Sequence, residues 1–269
     1  MGKFDGYLFC TDLDDTLLTT DKRVSEKNKA AIQYFMDEGG LFTFATGRVY
    51  SGIGEIIKYI VPNAPMICFN GGCIYDIENK CEVWAAELAD GAENVLKYVH
   101  DKFPFVGIEI CTGNKIYFCR RNGFVDQHQK FENLPDNDMD YTQVQKPWRK
   151  LLFMMEECKV DVIRNDIAKS PYADTFTYVQ SSPWYYEVLP KGCTKGSALL
   201  RLADILGIDR KKTIGMGDNE NDIELVANAG IGAAVSNALD MVRSKADIIT
   251  SDNNSDAAAE LISKLDKMI

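Results

Sequence analysis

Acidic residues stand at the ends of two apolar segments that lie far apart in this sequence. Asp12 and Asp14 follow residues 7–11, and Asp218 follows residues 213–217. If both segments are parallel strands, their carboxyl ends meet at one edge of a sheet, where α/β proteins place their chemistry. Clustered carboxylates of this kind bind a hard divalent cation such as Mg²⁺. The residues therefore predict a magnesium-dependent enzyme that acts on phosphate groups.

The spacing of Asp12 and Asp14 suits two different chemical roles. Residues two positions apart at a strand end can direct their side chains to the same side. One carboxylate could then attack phosphorus while the other transfers protons. Taken alone, the pattern Asp-x-Asp-x-Thr also fits acidic residues in an ordinary turn after a strand, and that interpretation is favoured unless other segments agree.

Two further segments carry groups that suit a phosphate. Thr46, Gly47 and Arg48 end the apolar segment 42–45, so the threonine could donate to a phosphoryl oxygen where glycine lets the backbone approach. Lys195 opens a predicted helix, an unfavourable place for a cation because it lies at the positive end of the helix dipole. A lysine there indicates a nearby anion. The alternatives are an ordinary turn, a solvated arginine and a surface lysine.

A fourth segment, residues 215–222, combines a glycine turn with carboxylates at a helix start. It contains Asp218, Asn221 and Asp222, and an isolated segment of this type fits either a functional loop or a capped turn. All four segments occur at the end of a predicted strand or the start of a predicted helix. Their joint occurrence favours one shared site.

The elements that must position these residues alternate between strands and helices at both ends of the chain. Such a pattern predicts parallel βαβ units and an α/β fold with a doubly wound, mostly parallel, Rossmann-like sheet. The predicted strands are residues 7–11, 41–45, 66–69, 213–216, 231–234 and 247–249, and the predicted helices are residues 25–37, 50–60, 194–206 and 220–228 and a last helix from residue 255.

The middle of the chain has a different pattern of residues and predicted elements. It contains all three tryptophans, strand-like segments at 105–111, 115–120, 150–155, 175–180 and 185–189, and helical segments at 92–100 and 160–169. This mixture predicts a second α/β domain inserted into the first. We therefore expect one domain formed by residues 1–80 and 190–269 and a second formed by residues 81–189.

Composition excludes several classes of partner. Forty acidic residues against thirty basic residues give a formal charge of −10, which repels nucleic acid and anionic membranes. No segment is apolar for long enough to cross a membrane. Eight cysteines without a Cys-x-x-Cys pair and two histidines do not indicate a zinc site. Without a signal peptide, the expected location is the cytoplasm. The sequence indicates no oligomeric state.

At this point the chain resembles the haloacid dehalogenase-like phosphatases, and among them the Cof-type hydrolases with a large cap domain between the second and third motifs. The resemblance covers essentially the whole chain, and the long insertion before Lys195 has the position of the cap. The matching residues are Asp12 to Asp15 with Thr16 in the first motif, Thr46 in the second, Lys195 in the third, and Asp218 with Asp222 in the fourth. Asp15 departs from the glycine that many relatives have.

The resemblance implies a role for each matching residue. Asp12 would be the nucleophile that forms an aspartyl-phosphate, and Asp14 would protonate the leaving alcohol and then deprotonate water. Mg²⁺ would be held by the Asp12 carboxylate, the Asp14 carbonyl oxygen and Asp218. Asp222 would orient the metal shell, and Asn221 could contact phosphate or metal-bound water.

Electrostatics explain why such a site needs cations as well as acids. A phosphate dianion that approaches several carboxylates is repelled by them. Mg²⁺, Lys195 and Thr46 would offset this repulsion and stabilise the charge of the phosphoryl-transfer transition state. Gly47 and Arg48 are expected to bind phosphate. Arg48, Asn70, Gly71 and Gly72 follow predicted strand ends and could line the entrance, or they could be ordinary loop residues.

The expected substrate is a small phosphorylated metabolite. By resemblance, sugar phosphates come first and phosphorylated vitamin or flavin precursors second, and the cap would select among them. Two alternatives stay open. One is a sugar-phosphate mutase or phosphotransferase that uses the same residues, and the other is a metabolite-binding protein that keeps the fold without turnover.

Overall fold

The computed structural model describes residues 2–113 and 115–269, without the side chains of Ser51 and Glu55. The chain divides into two compact units. The first unit consists of Met1–Arg48, Ile53–Ala85 and Thr194–Ile269. The second unit consists of Val49–Gly52 and Ala86–Cys193. None of the described helices combines the length and the apolar character needed to cross a lipid bilayer.

Strands and helices alternate in the first and last parts of the chain, and pairs or groups of consecutive strands occur between them. The strands are β1 (Leu8–Thr11), β2 (Leu41–Phe44), β3 (Met66–Cys68), β4 (Cys73–Asp76), β5 (Cys81–Ala85), β6 (Gly107–Thr112), β7 (Lys115–Arg120), β8 (Lys150–Met154), β9 (Thr177–Ser182), β10 (Tyr185–Leu189), β11 (Thr213–Gly217), β12 (Ile231–Val235) and β13 (Ile248–Thr250). The helices are α1 (Glu26–Asp37), α2 (Gly54–Ile57), α3 (Ala92–Lys102), α4 (Gly123–Phe131), α5 (Glu157–Ile167), α6 (Lys195–Leu206), α7 (Ile223–Asn228), α8 (Asp240–Arg243) and α9 (Ala257–Met268).

The first unit is built on a parallel sheet with the strand order β13-β12-β11-β1-β2. Strand β1 lies between β11 and β2 and is buried along its whole length, as expected for a parallel strand covered on both faces. Leu8 and Cys10 pack with Leu199 and Leu202 of α6, whereas Phe9 contacts the rings of neighbouring phenylalanines. The predicted α/β fold with a doubly wound, mostly parallel sheet is confirmed.

One edge of the first unit differs from the prediction. The predicted third strand continues the parallel sheet only through a bridge between Ala45 and Ile67. It instead begins an antiparallel sheet in the order β3-β4-β5, which the sequence pattern did not reveal. The predicted helix 50–60 is also shorter, because a 3₁₀ turn at Tyr50–Ile53 precedes α2. Gly52 and Gly54 lower the helix propensity of this segment.

The second unit is an antiparallel sheet in the order β7-β6-β8-β10-β9. One face carries a core that includes Ile108, Phe153 and Trp148, packed with apolar residues of α3 and α5. The sequence analysis did not predict α4. Its start is marked by Asn122, whose side chain accepts hydrogen bonds from the backbone N–H groups of Phe124 and Val125. This unit comprises Val49–Gly52 and Ala86–Cys193, and the division of the chain into domains at residues 80 and 190 stays a prediction.

The sheet of the second unit also carries charged side chains that alternate with its apolar core residues. Glu109 of β6 and Glu187 of β10 both face Leu152 in register, and both are buried. We call the group formed by Glu109, His128, Glu132, Lys150 and Glu187 the buried charge cluster. His128 reaches the cluster from α4, and its Nδ1 lies 2.9 Å from Oε1 of Glu109.

Candidate active site

The carboxyl ends of β1 and β11 bring two acidic residues of the sequence analysis together. Because β1 and β11 are neighbouring parallel strands, Asp12 and Asp218 leave the sheet at the same edge. The backbone N–H of Asp12 donates to the carbonyl oxygen of Met216, at a distance of 2.8 Å, so the pairing extends to Asp12 itself. Oxygen atoms of Asp12, Asp218 and Asp222 lie within 4.8 Å of one another.

The turn after Asp12 explains the unusual residue at position 15. Asp15 has a φ of 58°, a left-handed conformation that glycine adopts without strain. Aspartate is among the residues that tolerate this conformation, so the turn keeps its shape. The turn directs Thr16 toward the metal-ligand candidates, where its hydroxyl donates to Oδ1 of Asp218 at 2.6 Å. The sequence analysis gave Thr16 no role beyond a motif match.

Lys195 is buried between two of the carboxylates. It is the first residue of α6, whose N-cap is Thr194, and its side chain is 1% exposed. Its Nζ lies 2.5 Å from Oδ1 of Asp12 and 2.6 Å from Oδ1 of Asp222. Burial lowers the pKa of Lys195, but the two carboxylates outweigh burial and raise the pKa above its usual value. The side chain therefore stays an ammonium ion.

Asp222 uses both of its carboxylate oxygens within the protein. Oδ1 accepts from Lys195, and Oδ2 accepts from the backbone N–H groups of Asp218 and Asn219, each at 3.1 Å. A Cβ atom at Gly217 would lie 2.3 Å from Cβ of Asp222, so only glycine fits this approach. These contacts suit Asp222 to hold Lys195 and the loop of Asp218 in place.

Asp12, Asp218 and Asp222 form an acidic cluster, whose negative charge exceeds the positive charge of Lys195. Burial, together with Asp222 and Asp218, raises the pKa of Asp12 well above its usual value, although Lys195 opposes this shift. Burial, and then Asp222, raise the pKa of Asp218 to about 7. Three carboxylates against one ammonium ion leave two negative charges when all are ionised. Buried oxygen ligands with an excess of two negative charges fit Mg²⁺.

Asp14 turns its side chain away from this acidic cluster. Its carboxylate is bound by Arg48, with Nη2 2.9 Å from Oδ2, and by Lys22, with Nζ 3.0 Å from Oδ1. Burial opposes ionisation of Asp14, but Arg48 and Lys22 outweigh it and lower the pKa. The sequence analysis placed Arg48 with the phosphate-binding residues, and it did not name Lys22.

Thr46 and Gly47 follow β2 next to the turn that ends β3. Thr46 is 2% exposed, and its Oγ1 accepts from the backbone N–H of Arg48 at 3.2 Å. A Cβ atom at Gly47 would lie 2.9 Å from Nδ2 of Asn70. Asn70 in turn accepts a hydrogen bond from Nδ2 of Asn221. The structure thus joins Thr46 and Gly47 to Asn221 through Asn70, which the sequence analysis noted only as a possible entrance residue.

The chain matches the family model described as haloacid dehalogenase-like hydrolase over residues 9–262. A provisionally named phosphatase of Streptococcus pyogenes serotype M6 is 30% identical over 268 residues, which cover 96% of this chain and 97% of the relative. The 5-amino-6-(5-phospho-D-ribitylamino)uracil phosphatase YitU of Bacillus subtilis is 26% identical over 267 residues, which cover 95% of this chain and 96% of the relative.

A solved structure shows the same fold. The crystal structure of a haloacid dehalogenase-like hydrolase from Bacteroides thetaiotaomicron matches with a TM-score of 0.82 and 23% identity, over 96% of this chain and 99% of the other. The family model and the S. pyogenes relative each span nearly the whole chain. This chain therefore belongs to the haloacid dehalogenase-like hydrolases and is a phosphatase of that family.

Proposed function

We propose that this protein is a Mg²⁺-dependent phosphatase that hydrolyses small phosphomonoesters through an aspartyl-phosphate on Asp12. The observation that carries the proposal is the position of Lys195, buried between Asp12 and Asp222 beside Asp218. The ammonium group offsets one of three negative charges, and a divalent cation would offset the other two. Such an arrangement stabilises a phosphate dianion that the carboxylates alone would repel.

The residues around the cluster fit a bound Mg²⁺ ion. Asp12 and Asp218 would supply carboxylate oxygens, and Asp14 would supply its backbone carbonyl oxygen, because its side chain is bound by Arg48 and Lys22. Asp222 would support the site through its bonds to Lys195 and to the loop of Asp218. When bound, Mg²⁺ supplies positive charge that neutralises the phosphoryl oxygens.

The proposed reaction has two displacement steps at phosphorus. In the first step a carboxylate oxygen of Asp12 bonds to phosphorus, the ester P–O bond breaks, and Asp14, which must enter this step protonated, gives its proton to the leaving alcohol. In the second step water attacks phosphorus, Asp14 accepts its proton, and the bond from Asp12 to phosphorus breaks. Lys195 and Thr46 would stabilise the phosphoryl oxygens, with Gly47 and Asn221 as further phosphate contacts.

We propose a small phosphorylated metabolite as the substrate, with the second unit acting as the cap that selects it. The name of the B. subtilis relative describes a phosphate on a ribityl chain, a sugar-like group that is attached to an aminouracil ring. Sugar phosphates and flavin or vitamin precursors are therefore the first compounds to test. The formal charge of −10 disfavours nucleic acid and membrane surfaces as partners. A cytoplasmic location stays a prediction.

A panel of phosphomonoesters tests this proposal directly. We expect free phosphate release that depends on Mg²⁺ and stops when a chelator removes the ion. Asp12→Asn should abolish release while the protein stays folded, whereas Asp21→Asn, at an exposed position of the same unit, should leave it unchanged. Substantial Mg²⁺-dependent release by the Asp12 variant would overturn the nucleophile assignment.

The panel also separates the two alternatives. A sugar-phosphate mutase would convert one sugar phosphate into its isomer and release little free phosphate. A metabolite-binding protein would release none from any compound of the panel. Both products, free phosphate and sugar-phosphate isomer, should therefore be measured in the same reactions.

A further inference from the structure

The amide groups of a buried and a half-buried asparagine lie side by side between the loop of Thr46 and the loop of Asp218. Asn70 follows β3 and is 0% exposed, and Asn221 follows β11. Nδ2 of Asn221 donates to Oδ1 of Asn70 at 3.0 Å. The two side chains come from residues 151 positions apart, so the pair depends on the tertiary fold.

The pair leaves hydrogen-bonding capacity unused. Among the described residues, Nδ2 of Asn70 and Oδ1 of Asn221 are buried atoms without a hydrogen-bond partner. If both amides were rotated by half a turn, the bond would reverse and the unused donor would belong to Asn221. In the orientation that the structure shows, the unused donor belongs to Asn70. A buried N–H group without a partner is costly, and next to residues proposed to bind phosphate it could be satisfied by a ligand that accepts its hydrogen bond.

The backbone holds Asn70 in a conformation that most residues avoid. Asn70 has a φ of 51°, between Phe69 at 53° and Gly71 at 100°. The N–H of Asn70 donates to the carbonyl oxygen of Thr46 at 2.9 Å. A Cβ atom at Gly71 would lie 2.1 Å from the carbonyl oxygen of Thr194, the residue before Lys195. Consecutive residues with a left-handed backbone conformation persist where the surrounding structure fixes them. Such residues are frequent at ligand-binding sites.

The neighbours of the unused donor are the residues proposed to bind phosphate. The amide of Asn70 lies about 3 Å from the position that a Cβ of Gly47 would occupy, and it is bonded to Asn221. A phosphomonoester presents terminal oxygens that accept hydrogen bonds but donate none when ionised. An amide N–H group is the complement of such an oxygen.

We propose that Asn70 is a phosphoryl-binding residue, whose side-chain amide donates to a phosphate oxygen of the substrate while its Oδ1 holds Asn221 beside the same group. This inference rests on the proposed phosphatase function and adds one binding residue to it. Asn70 lies far in sequence from the other proposed phosphate ligands Asn221 and Lys195. The structure links it to both, since Gly71 packs on the backbone of Thr194.

The substitution Asn70→Gly tests the contact with little disturbance of the backbone, because glycine adopts a positive φ without strain. The measured quantity is the inhibition constant of inorganic phosphate against hydrolysis of p-nitrophenyl phosphate in the presence of Mg²⁺. We expect phosphate to inhibit the variant about 10- to 100-fold more weakly, the range for loss of one hydrogen bond to a charged group. An inhibition constant within about twofold of the wild-type value would overturn the inference.

Asn28 offers a matched control in the same unit. It is also 0% exposed, its Oδ1 accepts from the N–H of Ala259, and its Nδ2 has no partner among the described residues. Asn28 lies in α1, next to α9, and none of the proposed phosphate ligands belongs to these helices. Asn28→Ala should lower the temperature of unfolding as a buried amide is lost, while the inhibition constant of phosphate stays at the wild-type value.

A double-variant cycle separates direct binding from an effect through Asn221. If Asn70 donates to phosphate, Asn70→Gly should weaken phosphate inhibition further in an Asn221→Ala background. If Asn70 only holds Asn221 in place, adding Asn70→Gly to Asn221→Ala should leave the inhibition constant of phosphate unchanged. The proposed direct contact between Asn70 and phosphate would then be wrong. Calorimetric titration of inorganic phosphate into each Mg²⁺-loaded protein gives the same comparison without turnover. If wild-type protein binds phosphate but releases none from esters, the proposed function fails alone; if it does not bind phosphate, both proposals fail.

Discussion

The guanidinium group of Arg48 holds both carboxylate oxygens of Asp14. Nη2 of Arg48 lies 2.9 Å from Oδ2 and 3.0 Å from Oδ1, and Nε lies 3.1 Å from Oδ2. The Arg48 side chain is 11% exposed, so solvent screens this pair less than a surface ion pair. The contact fixes the direction of the Asp14 side chain and lowers its pKa, which favours the ionised form that accepts a proton from water in the second step.

The substitution Arg48→Ala should leave the Asp14 side chain without this fixed direction, and the loss of orientation should impair the proton transfers assigned to Asp14. We expect kcat/KM to fall about 10- to 100-fold, the range for loss of hydrogen bonds to a charged group. The fall should be larger for an alkyl phosphate than for p-nitrophenyl phosphate, because the alkyl leaving group needs a proton. Steady-state kinetics with both substrates check this. Arg23→Ala, which removes an exposed arginine paired with Asp21, should leave both rates unchanged.

Equal losses on the two substrates would contradict this role of Arg48. They would indicate that Arg48 contacts the phosphate group itself, because binding of phosphate does not depend on the leaving group. That was the role suggested by its position after Thr46 and Gly47. The comparison therefore decides between the contact in the structure and the interpretation from sequence.

Loss of Lys195 should destabilise the protein in a way that Mg²⁺ partly restores. In Lys195→Ala, Asp12 and Asp222 lose the buried cation bonded to both. We expect the free energy of unfolding to fall by about 3–5 kcal/mol in a chelator, the range for a buried ion pair that loses one partner. Mg²⁺ should reduce this loss because it binds the same carboxylates. Urea unfolding with chelator and with Mg²⁺ measures both values.

The control for this experiment is Lys27→Ala. Lys27 is exposed and pairs with Asp256 at the protein surface, so its loss should change stability little under either condition. If the Lys195 variant lost the same stability with and without Mg²⁺, the acidic cluster would not be the metal site.

Asp218 should contribute to metal binding. It should also lower the stability of the protein when no metal is bound. Its half-buried carboxylate lies beside Asp222, and desolvation and then the charge of Asp222 raise its pKa. The neutral amide in Asp218→Asn therefore relieves repulsion that the metal-free protein contains. We expect the variant to need at least about tenfold more Mg²⁺ for half-maximal activity and to unfold at a higher temperature in a chelator. Mg²⁺ titrations of activity and thermal unfolding test the two effects.

Asp15→Asn is the matched control, because Asp15 lies at the same end of β1 but is exposed and outside the acidic cluster. Asparagine tolerates the positive φ of this position. Its Mg²⁺ requirement should equal that of the wild type. A Mg²⁺ requirement of the Asp218 variant that matched this control would remove Asp218 from the metal ligands.

The strands of the first unit and the meeting of Asp12 with Asp218 could be predicted because both follow from local patterns. Apolar strands followed by acidic residues determine where a parallel sheet presents carboxylates. The contacts inside the site were harder to predict from the sequence. Thr16 donates a hydrogen bond to Asp218, which lies 202 positions away in the sequence, and no periodic sequence pattern predicts such a contact. Arg48 could be read as a phosphate ligand or an ion-pair partner, and only tertiary geometry decides which group it contacts.

The parts of the fold that were missed lack a strong periodic signal. Strands β4 and β5 are short and half-exposed, so their side chains alternate weakly. Helix α4 begins at Asn122, whose capping role could have been noticed, but its apolar residues are few. Glu109 and Glu187 sit within apolar strands, where their burial depends on cations from β8 and α4.

The buried charge cluster of the second unit predicts a pH dependence of stability. Nδ1 of His128 lies 2.9 Å from Oε1 of Glu109, and Nε2 lies 3.5 Å from Oε1 of Glu132. Burial lowers the pKa of His128, but the carboxylates of Glu109 and Glu132 outweigh it and raise the pKa from 6.5 to about 10. The cluster also contains Lys150 and Glu187, and the ionisable side chains of Tyr185 and Cys111 lie beside it.

Since the folded protein holds the proton of His128 more tightly than the unfolded chain, protonation stabilises the fold. This contribution is fully present below pH 6.5 and is lost as the pH rises toward about 10. We expect the free energy of unfolding to fall across this range more steeply in the wild type than in His128→Gln, as measured by urea unfolding at several pH values. His100→Gln, which changes a histidine outside the cluster that pairs with Asp101, should keep the wild-type slope. If the His128 variant kept that slope as well, protonation of the cluster would not stabilise this unit.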